Sequence, residues 1–405
     1  MESKIKKPTL GFTLLRKIFV AANIRRWNDQ ATPVEFIELD KQAHKIVIAY
    51  LLAHYEILEN GKKIDFERLI MQFCYEFLQR IILTDIKPPV FHKLTQKHNK
   101  ALVDFVCKQL EDDLKGFGFL ESMRNYLYGE VQNLEKAILK ASHYYASKWE
   151  FDIIYHFNPH LYDVQNIKDI IDKQVQEHYD LAGIRQIVLY KDTHELINMF
   201  GQLRFQKRWS QTPRVPCTSV LGHTLVVAII AYLLGFDLKF SKTMQIQHFF
   251  CGLFHDLPEI LTRDIISPIK KNIEGLDAFL KEIEKEAVEE KILKIVPKSI
   301  ADNIVYYTQN EFENRYKNDK NIVYSHQRWE DFLKEVTTQN PKDPVFGEFL
   351  KYCDHLSAFL EAKISIDHGI KSKDLVEGAK KLEYSYNAKT LNGIDLGYLF
   401  REFGE

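Results

Sequence analysis

Phe249-Phe250-Cys251-Gly252-Leu253-Phe254-His255-Asp256-Leu257-Pro258-Glu259 is the stretch on which the reading of this chain turns. An apolar run ends in an imidazole and a carboxylate side by side, which predicts a buried helix with two potential metal ligands at its end. Adjacent helical residues point about 100° apart, so both reach one ion only near a helix end or on a crowded concave side. Pro258 supplies that irregularity.

Working outward, His223 lies 32 positions before His255 and shares a helical face with Val226, Val227 and Ile230. An imidazole aimed at the core needs a partner. Downstream, Asp354 lies beside the stripe Phe349, Cys353, Leu356 and Leu360, at the edge of a buried face. A carboxylate there wants a cation. Two imidazoles and two carboxylates can surround one divalent ion; Mn, Fe, Co, Ni, Zn or Mg would suit, and no cysteine pair nearby offers a thiolate zinc site. A metal-dependent hydrolase is the first functional class indicated. His248, His326, His355 and His368 match no ligand position.

Taken together, Arg208-Trp209, Val220-Leu221-Gly222-His223-Thr224, His255-Asp256-Leu257-Pro258-Glu259-Ile260-Leu261-Thr262-Arg263-Asp264 and Lys351-Tyr352-Cys353-Asp354-His355-Leu356 resemble the HD-domain phosphohydrolases. The resemblance is strongest to the bacterial 5'-deoxynucleotidase branch, and Pro268-Ile269-Lys270 extends it. It covers roughly the second half of the chain. It implies that His223, His255, Asp256 and Asp354 hold one divalent metal, and that Glu259 orients or deprotonates the attacking water, with Asp256 also part of the catalytic set. Arg208, Trp209 and Asp264 would face the nucleotide; Thr218 and Ser219 would add phosphate donors. The implied substrate is a nucleoside or deoxynucleoside 5'-monophosphate. The implied enzyme is a metal-dependent phosphomonoesterase.

Two positions depart from the family pattern. Gly222 stands where Glu is frequent, and Arg263 stands where a glycine is usual. Arg263 could narrow a sugar pocket or bind an extra phosphate, which keeps open a cyclic or polyphosphorylated nucleotide as substrate. A non-catalytic nucleotide-binding regulatory role is the third reading. Bland roles also stay open for single residues: Glu259 as a solvated helix residue, Asp264 as a helix cap, Trp209 as a core aromatic.

The first half of the chain echoes the second. His44 and His223, Asp85 and Asp264, and Pro89 and Pro268 are each 179 positions apart; Arg26-Trp27 precedes Arg208-Trp209 by 182. Leu139-Lys140 matches Leu350-Lys351. Ordered pairs at nearly constant displacement predict a tandem duplication. At the positions of His255 and Asp256 the first half has Glu76 and Phe77, Arg80 stands at Glu259, and the counterpart of Asp354 falls near Ser142 or His143. A degenerate, metal-free and catalytically dead N-terminal copy is therefore expected over residues 1–192, with the catalytic HD domain over 193–405. The two halves could pair as an intrachain pseudo-dimer, or the first could sense nucleotide through Arg26 and Trp27.

Composition agrees with this organisation. At 405 residues, 45% of them hydrophobic, the chain can bury two cores, while 17 glycines, 12 prolines and few alternating strands predict an all-α fold of two tandem irregular helical bundles. A boundary near 190–200 is expected to be helical. A net charge of -1 argues against nucleic acid as a partner. Five scattered cysteines suit reduced thiols, and no segment reads as a signal peptide or membrane span, so a cytoplasmic location is expected. The Lys- and Glu-rich segment from Leu280 to Ile295 should be an exposed helix.

Overall fold

The computed structural model describes residues 5–263 and 275–403, is 68% helical, and has only short strands. The fold is all-α. The chain divides into two compact units, residues 16–201 and residues 202–405 together with 1–15.

The second unit is built around the helix Val220–Asp237, whose residues are buried from Val220 to Gly235. A helix that is apolar all round has to be buried on every side. It is also long and apolar enough to cross a membrane, against the expectation that no segment approaches that length, but 89% of it lies inside the fold. Ser219 caps its start by accepting the Gly222 N–H at 2.9 Å. The helix Lys242–Phe254, capped by Ser241, packs against it. Gly252 permits the close approach, since a Cβ there would stand 3.0 Å from the Ala228 backbone. A third helix, Gly347–Asp367, carries Asp354 and also packs on Val220–Asp237. The charged segment forms the helix Leu276–Lys291, largely exposed.

Two features of this unit escape periodicity. One is a three-stranded antiparallel sheet with Asn314–Lys317 between Val323–His326 and Lys342–Val345. The other is the N-terminal segment: the Lys6 N–H donates to Gly393 O at 2.9 Å, and the Thr9 N–H donates to Asp237 Oδ2 at 2.9 Å.

In the first unit the helix Glu38–Asn60 carries His44 and packs against Leu134–Phe157, with Phe66–Leu83 against the latter. Asp65 and Asn133 cap the last two by accepting the N–H groups of Arg68 and Lys136. Trp27 and Trp209 both adopt φ of 56°. Thr84 and Arg263, which precede Asp85 and Asp264, both have positive φ, at 58° and 66°.

Candidate metal centre

Three helices of the second unit bring the site together. His255 directly follows Lys242–Phe254, its N–H still bonded to Cys251 O; the chain then turns and restarts as the short helix Glu259–Thr262. Ligand atoms of His223, His255 and Asp256 all lie within 4.8 Å of one another. Asp354 joins them, its Oδ1 lying 2.8 Å from His223 Nε2. His255 Nε2 is 3.3 Å from Asp256 Oδ1.

The remaining ring nitrogens are held from behind. His255 Nδ1 donates to Gly252 O at 2.8 Å, which leaves Nε2 turned to the site. Ser357 Oγ lies 3.0 Å from His223 Nδ1, and Glu361 Oε1 lies 3.5 Å from it. Both imidazoles are nearly sealed from water, whereas Asp256 and Asp354 are each partly open. Burial alone would raise the Asp354 carboxyl, but the hydrogen bond to His223 and the charges of His223, His255 and Arg208 hold it below the usual carboxylate range. Two nitrogen and two carboxylate donors, converging with their outer partners in place, fit a divalent ion.

Glu361 organises the flank of the site and was not singled out in the sequence. Fully buried, it accepts from the Trp209 indole at 2.9 Å and from Thr218 Oγ1 at 2.6 Å. Arg208 Nε is 3.5 Å away and Arg214 3.9 Å. Burial would raise this carboxyl too, but Arg214, Arg208 and His223 hold it well below its ordinary value. The available signal was its spacing, seven residues after Asp354 and hence on the same helix face. Ser357 and Arg214 were also missed.

The other expected residues are distributed as follows. Arg208 Nη1 lies 3.6 Å from Asp256 Oδ2, so one guanidinium bridges the ligand cluster and Glu361. Trp209 is half-buried. Thr218 is buried, its hydroxyl donating to Glu361 and accepting from Arg214 at 2.5 Å, while the Ser219 hydroxyl is the cap already described. Glu259 opens the short helix, its carbonyl accepting from Gln206 Nε2 at 3.0 Å and its charge bearing on Arg208. Asp264 and Pro268-Ile269-Lys270 lie outside the described residues.

Comparison with known proteins places this arrangement in context. The HD domain family matches residues 200–383. A 5'-deoxynucleotidase of Shewanella oneidensis is 31% identical over 164 residues, covering 40% of this chain and 69% of the relative. A 5'-deoxynucleotidase of Vibrio atlanticus is 27% identical over 116 residues, covering 28% of this chain and 59% of the relative. One from Yersinia pestis is 27% identical over 120 residues, covering 27% and 60%. The chain thus spans about three fifths of the length of the latter two. No solved structure matches it. With the His-Asp pair at a helix end, its partners on two neighbouring helices, the family match over residues 200–383 and a relative 31% identical over 69% of its length, the chain belongs to the HD-domain family.

Proposed function

We propose that the second unit is a metal-dependent phosphohydrolase and that its substrate is a nucleoside or deoxynucleoside 5'-monophosphate. The observation that carries this reading is the convergence of His223, His255, Asp256 and Asp354 beside the Arg208 guanidinium. A bound divalent ion would polarise a phosphoryl oxygen and acidify water. Arg208 would take the remaining phosphate charge, because a guanidinium is preorganised for phosphate oxygens. Glu259 would orient the attacking water and take its proton. The new bond joins the water oxygen to phosphorus, the P–O5' bond breaks, and the electron pair leaves on O5', which picks up a proton. Trp209 and Asp264 would line the nucleoside side. The names of the relatives support this substrate class.

We further infer that the first unit is a degenerate copy without a metal site. Support comes from matched local geometry at matched sequence positions. Trp27 and Trp209 share φ of 56°, and each indole donates to a buried glutamate, Glu150 at 2.8 Å and Glu361 at 2.9 Å. Those glutamates are 211 positions apart, as are Leu139 and Leu350.

Phosphate release from a panel of ribo- and deoxyribonucleotides tests the activity, using protein stripped of metal and reconstituted with Mn, Co or Mg. The expected result is metal-dependent release from 5'-monophosphates that Asp256→Ala abolishes. Bound metal without release from any monophosphate would overturn the substrate class.

A further inference from the structure

In the first unit, the ground that corresponds to the metal centre is occupied by cations. Lys41 and Lys45 flank His44 on the helix Glu38–Asn60, with 0% and 1% exposure. Arg26 and Arg80 approach the same helix through Glu38, at 2.8 Å and 3.2 Å. His143, which stands 211 positions before Asp354, brings its Nδ1 to 2.5 Å from Lys41 Nζ.

Counter-charges are unevenly shared. Arg26 pairs with Glu38 and Glu150, Arg80 with Glu38 and Asp85, and Lys45 with Glu76. Lys41 has no carboxylate at ion-pair distance among the described residues, and its ammonium meets only the His143 imidazole. That imidazole cannot serve as an ion partner: burial, then Lys41, Lys45, Arg26 and Arg80, push its pKa well down and keep it neutral. Burial, then Arg26 and Lys45, draw the Lys41 pKa well down, and the more distant Glu38 and Glu150 offset this only in part. A fully buried amine with no carboxylate in contact carries its charge at a cost, and adding an anion is the direct remedy. There is also a route to it, since His143 keeps part of its surface in solvent even though its Lys41-facing nitrogen sits among buried groups, while Lys41 beneath it is sealed.

We propose that the first unit binds a phosphate-class anion at Lys41 and His143, beside Arg80 and Lys45. The chemistry is a small oxyanion carrying two negative charges, either inorganic phosphate or the phosphoryl group of a nucleotide. Ammonium and guanidinium groups supply here the positive charge that a metal ion would supply in the other unit. The proposal stands on the first unit's own residues and holds whether or not the second unit hydrolyses nucleotides.

The test is calorimetric titration of the full-length chain, kept in chelator to prevent turnover, with inorganic phosphate and separately with a nucleoside 5'-monophosphate. Two variants are compared with the parent: Lys41→Met, which keeps the volume and removes the charge, and His143→Ala at the exposed mouth. Both leave the second unit untouched, so any anion bound there is common to all three proteins. We expect Lys41→Met to weaken one site by at least about tenfold for the probe that occupies it, because truncating one side of a buried charge pair costs that much or more. His143→Ala should weaken the same site by about two- to tenfold, the loss of one hydrogen bond. A response to phosphate alone assigns the site to the free ion, and a tighter response to the monophosphate assigns it to the nucleotide. Titrations identical in all three proteins, or no binding to the parent chain, overturn the proposal. If Lys41→Met does not fold, as judged by far-ultraviolet circular dichroism, His143→Ala decides the matter alone.

Discussion

The Glu361 carboxylate accepts the Trp209 indole N–H at 2.9 Å, and through that bond a residue deep in one helix holds the segment that leads into the helix Val220–Asp237. The same carboxylate lies between Arg208 and Arg214 and behind His223. Replacing it leaves two guanidinium groups short of a counter-ion. We expect Glu361→Gln to destabilise the second unit by about 3 to 5 kcal/mol, the range for breaking a buried ion pair from one side. Trp209→Phe, which removes one hydrogen bond to the same oxygen, should cost only about 1.5 to 3 kcal/mol. Urea unfolding of the two variants measures the difference, and equal losses would show that Glu361 serves the indole alone.

Arg263 carries a backbone strain that a glycine would not. Its φ of 66° with ψ of 159° lies in a region essentially restricted to glycine, and Thr84 in the first unit is close to it with φ of 58° and ψ of -153°. Each residue ends a helix immediately before an aspartate. Arg263→Gly is expected to stabilise the protein by about 1 to 3 kcal/mol, the usual cost of such a conformation. A thermal melt that moves down instead would mean that the arginine side chain makes a contact worth more than the strain.

Metal binding should depend on groups that never touch the ion. Ser357 lies 3.0 Å from His223 Nδ1 and fixes the direction of the ring. Ser357→Ala is expected to lower metal affinity about 10- to 100-fold, as loss of such outer partners does elsewhere. Asp256→Asn should reduce bound metal from one ion per chain to none, as read by elemental analysis after dialysis. Two ions per parent chain would count against a metal-free first unit.

The sequence exposed those parts of the fold where chemistry is local. His255 and Asp256 are legible because a polar pair closing an apolar run is rare without a partner, and Pro258 announces the break that follows. Ser219 and Ser241 begin helices that their apolar runs already predict. Glu361 was hidden for the opposite reason: alone it reads as the polar edge of a helix, and only Arg214 and Thr218, more than 140 positions upstream, make its burial affordable. The N-terminal segment was hidden likewise, since Thr9 finds its acceptor 228 positions away. The four-residue strands at Asn314–Lys317 and Val323–His326 are too short for an alternating pattern to register.

His248 gives the second unit an acid limit that is independent of the metal site. It is fully buried between the rings of Phe240 and Phe349, and its Nε2 accepts the Phe346 N–H at 2.9 Å. Burial, reinforced by the charge of Arg315, lowers its pKa from 6.5 to about 3. The unfolded chain therefore takes up a proton near pH 6.5 that the folded chain refuses until about pH 3. Stability from this group is complete above pH 6.5 and drains away as the pH falls through that window, at about 1.4 kcal/mol per pH unit. Between pH 6.5 and about pH 5 the loss comes to about 2 kcal/mol. His248→Asn, unable to titrate, is expected to remove this part of the acid sensitivity even though it is less stable at neutral pH. Urea midpoints of parent and variant, taken at steps across the window, should converge as the pH falls; parallel curves would show that His248 is protonated in the folded chain as readily as in the unfolded one.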